Sequence, residues 1–241
     1  MRLHPRLYML ASLCMTVAVP SVSSGQQVTA TAQVEVSSNV TNRSADSSGV
    51  VVWLTPLPES TQNQVGKQRH QLLQKHRSFS PHLLVIQVGS AVDFPNQDPL
   101  FHNVFSLFEG KRFDLGLYEA GSSRSVAFNR PGISYIFCNI HPEMSAVVVA
   151  LNTPYYGISD RKGMIRIPNV PYGRYQMQVW HERVLPDTLN SLTRTIAISE
   201  QSSSLGVLHL PEQRDLSALH KNKYGRDYDN PTPGAAVYTR P

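Results

Sequence analysis

Residues 133–151 read ISYIFCNIHPEMSAVVVAL and join two apolar runs, Ile133–Phe137 and Ala146–Leu151. Both runs are short and rich in β-branched or aromatic residues, which favours strands. The loop between them, Cys138–Met144, carries one thiol, one imidazole and one thioether. The stretch therefore predicts two strands that hold a loop with two sulfur-containing side chains.

Similar short runs continue on both sides of this stretch, separated by turn residues such as Gly89-Ser90 and Pro131-Gly132. The further runs are Leu83–Val88, Ala91–Phe94, Asn103–Leu107, Ser125–Phe128, Met164–Ile167, Tyr175–Trp180, Thr193–Ile198 and Leu205–Leu210. Strands of this length with regularly placed turns are typical of a β-sandwich or small barrel. The sequence predicts an all-β fold.

The N-terminal part and the C-terminal tail are less regular. An alternating stretch, Val28–Val36, is predicted as an edge strand, and Gly49–Leu54 as a second strand. Residues Pro56–Arg77 are charged and rich in glutamine, which predicts a loop or a short helix. The charged tail beyond Pro211 is predicted to be loosely ordered.

The first 25 residues have the pattern of a secretory signal peptide. Arg2 and Arg6 precede an apolar run, Leu7–Val19, and small residues follow from Ser21 to Gly25. The run is shorter than the roughly 20 apolar residues that span a membrane. A cleaved signal over 1–25 and a periplasmic or secreted protein are therefore favoured over a signal anchor, and no later segment is predicted to cross a membrane.

Cysteine content and charge exclude a disulfide-rich scaffold and give no support to nucleic-acid binding. Removal of 1–25 takes Cys14 away and leaves Cys138 as the only cysteine, which excludes a disulfide framework. A lone thiol in an oxidising compartment is a liability unless it is buried or held by a metal. The formal charge of +5 is modest, and there is no basic run interleaved with aromatic residues, so nucleic-acid binding has no support.

The loop after Ile133–Phe137 has the donor types of a copper site. Copper accepts a thiolate, imidazole and a long thioether bond together, and Cys138, His141 and Met144 offer all three. The second imidazole must come from elsewhere in the fold, and His102 can supply it. Zinc would take the two histidines and the cysteine but would prefer another fourth ligand to Met144. The sequence predicts one bound copper ion.

Other candidate residues carry weaker signals. His181 ends a strand and could join Glu182 in a second metal site, although a surface strand terminus is favoured. His70, His76 and His82 lie in or near the connector and are predicted to be solvated. The absence of any His-x-His pair excludes an oxidase-type trinuclear copper cluster, and no G-x-S-x-G or phosphate-cradling glycine loop occurs. We expect no enzymatic activity.

The segments FPNQDPLFHNVFS (94–106) and CNIHPEM (138–144) resemble the cupredoxins, the blue-copper proteins, and the short loop looks most like the amicyanin branch. The resemblance covers about Phe79–Leu151. It implies a Greek-key β-sandwich with copper near one end, bound by His102, Cys138 and His141 with Met144 as weak axial ligand. It also implies that Asn103 is hydrogen-bonded to the loop that carries Cys138.

A wider resemblance includes FDLGLYEAG (113–121), FNRPG (128–132) and the segment 153–182. It is to exported bacterial proteins, often labelled methylamine utilisation or plastocyanin-like, that join a cupredoxin core to a smaller carboxypeptidase-regulatory-like β-sandwich. The implied units are a signal (1–25), N-terminal strands and connector (26–78), a cupredoxin domain (79–152), the second sandwich (153–210) and a tail (211–241). Residues Gly49–Leu57 could pair with the strands after Tyr155.

The function these features predict is one-electron transport. His141 is expected to be the exposed ligand through which electrons leave, with Ile140 and Pro142 as an apolar rim for transient docking of a redox partner. One alternative is a copper carrier or storage module whose second sandwich docks on an envelope partner. Another is a structural β-sandwich that has kept the copper motif by descent.

Overall fold

A computed structural model of the chain describes residues 26–38, 46–58, 68–107, 110–213 and 221–228. The predicted signal peptide lies outside these ranges. Within them the regular structure is almost entirely β-strand, with one short helix, and this confirms the all-β prediction. No helix among the described residues is long and apolar enough to cross a bilayer.

The strands of the central sandwich run from residue 69 to residue 151. They are β3 Arg69–Gln71, β4 Leu73–Lys75, β5 Ser78–Ser80, β6 Leu83–Gln87, β7 Ala91–Pro95, β8 His102–Ser106, β9 Phe113–Tyr118, β10 Ser123–Ala127, β11 Gly132–Phe137 and β12 Ser145–Leu151. Five of them form the sheet β6-β12-β11-β8-β9, and three form the sheet β10-β7-β3. The strands β4 and β5 pair with each other as a hairpin.

The two sheets of this sandwich enclose one apolar cluster. Phe94 comes from one sheet, Ile136 and Val148 come from the other, and all are fully or almost fully buried. Burial of each such side chain is worth about 1.5–3 kcal/mol, so this cluster holds the two sheets together.

A second pair of sheets uses the strands at both ends of the chain. They are β1 Gln27–Ser38, β2 Val51–Leu57, β13 Tyr156–Ile158, β14 Met164–Pro171, β15 Gly173–Trp180, β16 Arg194–Ile198 and β17 Ser204–Glu212, with helix α1 Pro186–Ser191. The sheets are β13-β2-β15-β16 and β14-β1-β17. Their facing sides meet in a cluster that includes Leu54, Ile165, Met177 and Leu208.

Two features of these sheets bear on the sequence predictions. The pairing of β2 with β13 and β15 confirms the expected return of Gly49–Leu57 to the strands after Tyr155. The prediction that Val28–Val36 is an edge strand is wrong, because β1 lies between β14 and β17 and is hydrogen-bonded on both sides.

The strand β12 contributes to both clusters. Ala146, Val148 and Ala150 pack in the central sandwich, and Val147, Val149 and Leu151 pack with the second cluster. Successive side chains of a strand point to opposite faces, so both faces of β12 are covered. This explains why its sequence, SAVVVAL, lacks an apolar and polar alternation.

The connector Pro56–Arg77 differs from its prediction. Its described residues form mainly strands and no helix: β2 extends to Leu57, and β3 and β4 follow between Arg69 and Lys75. Leu72 and Gln74 are fully buried, and the Leu72 N–H donates to the carbonyl of Asp93. Four further elements were not predicted, namely β5, β9, β13 and α1.

Candidate metal centre

The predicted ligands converge at one end of the central sandwich. His102 is the first residue of β8, and Cys138 directly follows β11, which runs antiparallel beside β8 with Phe137 opposite Phe105. The chain continuing past β11 therefore runs beside the start of β8. His141 lies three residues after Cys138 in the loop that follows β11. The pairing of β11 with β8 brings this loop next to His102, although the two histidines are far apart in the sequence.

Three donor atoms face one another at this point. The Nδ1 atoms of His102 and His141 are 3.0 Å apart, and the Cys138 Sγ lies 3.9 Å and 3.6 Å from them, respectively. Bond lengths of about 2.0–2.1 Å to nitrogen and 2.3 Å to sulfur at tetrahedral angles imply separations of about 3.3 Å and 3.6 Å. The donor set fits a single metal ion. Among the described residues, this is the one group of three or more His, Cys, Asp or Glu side chains close enough to hold one.

Met144 is the last residue of the loop, and its side chain and backbone both fix the end of the loop. Its side chain is fully buried in the same apolar cluster as Cys138. The backbone fixes the loop: the Cys138 N–H donates to the Met144 carbonyl at 3.3 Å, and the Met144 N–H donates to the His141 carbonyl at 3.0 Å. The Met144 side chain is therefore enclosed in the apolar cluster that also contains the Cys138 side chain.

The surroundings of the Cys138 sulfur act on its pKa in opposite directions. Burial raises the pKa of the thiol, while backbone N–H groups of Asn103, Ile140 and His141 lower it without cancelling the effect of burial. Those N–H groups are aimed at a negative charge that burial alone disfavours. A bound cation would supply the missing positive charge and stabilise the thiolate.

A carboxylate that the sequence did not indicate orients His102. The Nε2–H of His102 donates to Asp98 Oδ2 at 2.8 Å, which leaves Nδ1 free to accept a metal. Asp98 also accepts the backbone N–H groups of His76 and Arg77 at the turn between β4 and β5. Burial raises the pKa of Asp98, but the hydrogen bonds outweigh burial and hold this pKa below its usual value.

The predicted hydrogen bond from Asn103 to the ligand loop is made by its backbone. That N–H is one of the donors to the Cys138 sulfur. The side-chain amide instead donates to Asp114 Oδ1 at 2.7 Å on β9. Asp114 in turn accepts from Lys223 Nζ at 2.9 Å, so a chain of polar contacts runs from β8 to the C-terminal residues.

The outer side of the loop reaches the surface. His141 is half-buried, and burial together with the neighbouring His102 lowers its pKa. Pro142 and Glu143 are exposed, and Ile140 is half-buried. His141 is therefore the least enclosed of the four predicted ligands.

The remaining histidines differ from one another. The favoured interpretation of His181 as a surface residue is wrong, because its side chain is only 7% exposed. His70 is half-buried in β3, whereas His76 and His82 are exposed as expected. Glu182 contacts His82 at 2.8 Å rather than joining His181 in a metal site.

Comparisons with known proteins match part of the chain. No family model matches, and no curated protein matches. Among solved structures, the copper-containing nitrite reductase of Thermus scotoductus SA-01 is 22% identical over 37% of this chain, with a TM-score of 0.35, and this chain covers 24% of its length. A purple cupredoxin from Nitrosopumilus maritimus is 24% identical over 34% of this chain and 99% of its own, with a TM-score of 0.31. A reduced amicyanin variant is 19% identical over 36% of this chain and 87% of its own, with a TM-score of 0.33. Each of these structures matches little more than a third of this chain.

Proposed function

We propose that this chain is an exported type 1 copper protein that carries single electrons and has no enzymatic activity. The observation that carries the proposal is the convergence of His102 Nδ1, His141 Nδ1 and Cys138 Sγ at the end of a rigid sandwich. Met144 would be the weak axial ligand. Copper, when bound, supplies one-electron chemistry at this point.

The donor set supports copper over zinc. Two imidazole nitrogens and one cysteine sulfur lie around the site, and the buried Met144 belongs to the same apolar cluster as Cys138. Structural zinc sites take a fourth cysteine, histidine or carboxylate, and Asp98, the buried carboxylate nearest the ligands, is already given to His102 Nε2. A soft sulfur ligand set favours copper.

The chain's own residues restrict how far the ligands can move. Asp98 fixes the ring of His102, and the N–H of Asn103 is directed at the Cys138 sulfur from β8. The Met144 backbone closes the loop on both Cys138 and His141. Ligands held in this way change position little between two oxidation states, which keeps electron transfer fast.

The exposed side of His141 is the proposed exit for electrons. Pro142 is exposed and Ile140 half-buried beside it, and together they offer an apolar rim. Complexes that transfer electrons bury little surface and separate quickly. A small rim around one half-buried ligand suits such a partner, which we expect to meet this protein outside the cytoplasm after residues 1–25 are removed.

Copper delivery is the second candidate, and the second pair of sheets favours it. The strands β1, β2 and β13–β17 form a separate apolar cluster that a minimal electron carrier does not need. Such a body could dock on an envelope partner that accepts the metal. Retention of copper through repeated reduction and oxidation supports the carrier, and release on reduction supports delivery.

The test is the visible spectrum of the purified protein after addition of one equivalent of Cu(II). We expect an intense thiolate-to-copper band that Cys138→Ser abolishes and His141→Gln weakens strongly. The control is His209→Gln, because His209 is 74% exposed and lies on β17, a strand of the second pair of sheets. A protein that binds no copper, or a band that survives Cys138→Ser, refutes the proposal and leaves the structural role.

A further inference from the structure

Residues 221–228 lie against the ligand loop, although the tail beyond Pro211 was expected to be loosely ordered. The Lys223 N–H donates to Asn139 Oδ1 at 2.9 Å, and the Tyr228 hydroxyl donates to the Cys138 carbonyl at 2.9 Å. Both acceptors belong to the first two residues of the loop. The C-terminal residues therefore reach the backbone of the predicted thiolate ligand itself.

The segment has a defined structure of its own. Asn222 Oδ1 accepts the N–H groups of Tyr224 and Arg226, and the Gly225 N–H donates to the Asn222 carbonyl. Gly225 has a φ of 74°, a conformation that glycine adopts without strain. This turn places Lys223 and Tyr228 on the same side, toward the loop.

A third contact ties the segment to the strand beside the site. Lys223 Nζ lies 2.9 Å from Asp114 Oδ2, and Asp114 Oδ1 accepts the side-chain amide of Asn103. Because the Asn103 N–H is directed at the Cys138 sulfur, Lys223 and Tyr228 approach the thiolate ligand along two separate routes. One route runs through the loop backbone, and the other runs through β9 and β8.

We propose that residues 221–228 form a C-terminal strap that holds the ligand loop closed, with Tyr228 and Lys223 as its positioning residues. This inference rests on the proposed function, because the loop that the strap holds is the loop expected to bind copper. A metal leaves such a site when Cys138–Met144 moves away from His102. That movement must carry the Cys138 peptide with it and so break its bond to the Tyr228 hydroxyl.

The first experiment measures copper loss from the full chain. Protein loaded with Cu(II) is mixed with excess EDTA, and decay of the visible band is followed for Tyr228→Phe and Lys223→Met. We expect decay about threefold to tenfold faster for each variant, the range that corresponds to loss of one net hydrogen bond. The controls are Tyr172→Phe and Lys162→Met, since both residues lie in connections between strands of the second pair of sheets.

The second experiment reads the strap without any metal. Alkylation of Cys138 by iodoacetamide is measured in the metal-free full chain by peptide mass spectrometry, which separates it from Cys14. Cys138 is fully buried, so its reaction requires the loop to open. We expect faster alkylation in Tyr228→Phe and Lys223→Met than in the two controls.

The two readouts separate the two hypotheses. A wild-type chain without a copper band, combined with faster Cys138 alkylation in the strap variants, refutes the copper function and retains the strap. Alkylation in the strap variants at the rate of the controls overturns the strap, whatever the chain binds.

Discussion

The carboxylate of Asp98 accepts a hydrogen bond from His102 Nε2 at 2.8 Å, and neither side chain is more than 5% exposed. Two backbone N–H groups of the β4–β5 turn stabilise the same carboxylate. Through Asp98, the β4–β5 turn thus helps to orient the predicted copper ligand His102. The turn residues belong to the segment that was expected to be a connector. A negative charge fixed so close to the site favours the more positive oxidation state of a bound metal.

Asp98→Asn is therefore expected to raise the reduction potential of the copper protein. The amide oxygen can still accept the His102 N–H, but the amide NH2 would face the N–H of His76, so the change removes the charge together with that one backbone hydrogen bond. We expect a rise on the order of 60 mV, which corresponds to tenfold in a one-electron equilibrium, measured by spectroscopic redox titration. Asp93→Asn is the matched control, because Asp93 pairs with Arg69 on β3 rather than with a ligand. Equal potentials in the two variants would contradict the role of Asp98.

Met144→Leu separates a ligand from a packing residue. Leucine has a similar volume, so the free energy of unfolding should fall by less than about 1.5 kcal/mol. Loss of the thioether should nevertheless shift the visible band and raise the potential. Met177→Leu provides the comparison, since Met177 is also fully buried but lies in the second cluster. If both variants keep the wild-type spectrum, Met144 is not a ligand.

The pair His82 and Glu182 predicts a pH dependence of stability. The hydrogen bond to Glu182 raises the pKa of His82 above the usual histidine value of 6.5, while burial acts in the opposite direction. Protonated His82 is therefore stabilised in the folded state. The contribution is complete below pH 6.5 and is lost as the pH rises through the raised value.

Urea unfolding at several pH values tests this link. The stability difference between the wild type and Glu182→Gln should be largest below about pH 6 and should shrink by about pH 8. Glu35→Gln serves as comparison, because the Glu35–His209 pair is mostly exposed and should contribute little at any pH. A constant difference for Glu182→Gln across this range would contradict the assignment.

Gly163 has a conformation and a neighbour that both exclude a side chain. Its φ is 79°, and a Cβ there would collide with the carbonyl oxygen of Val34 on β1. Gly49 has a similar φ of 81° but open space around it. Gly163→Ala should therefore destabilise the chain by about 2 kcal/mol more than Gly49→Ala, as measured by urea unfolding. Equal losses would mean that backbone conformation alone accounts for both.

The sequence predicted the parts of the fold that local patterns determine. Short β-branched runs located most strands within two residues, and the spacing of Cys138, His141 and Met144 predicted a loop that the structure brings to His102. The position of β1 was not predictable in this way. An alternating strand with one buried face looks the same at the edge as in the middle of a sheet, because the partners β14 and β17 are distant in sequence.

The contacts around the ligands were missed for the same reason. Asp98 lies in the connection between β7 and β8 and carries no spacing signal, and its role depends on the Arg77 and His76 amides, which are distant in sequence. Tyr228 lies in a polar tail whose composition resembles disorder. Its hydroxyl meets the Cys138 carbonyl 90 residues earlier in the chain, a separation that no local pattern encodes.

The shared strand β12 has a consequence for how the molecule unfolds. Its first residue follows Met144 directly, and its two faces belong to the two apolar clusters. Because both clusters need β12 in place, neither can unfold without the other, and they form one cooperative unit. Trp53 and Trp180 both pack in the second cluster. Metal bound by the ligand loop of the central sandwich should therefore raise the unfolding temperature that the fluorescence of these two tryptophans reports.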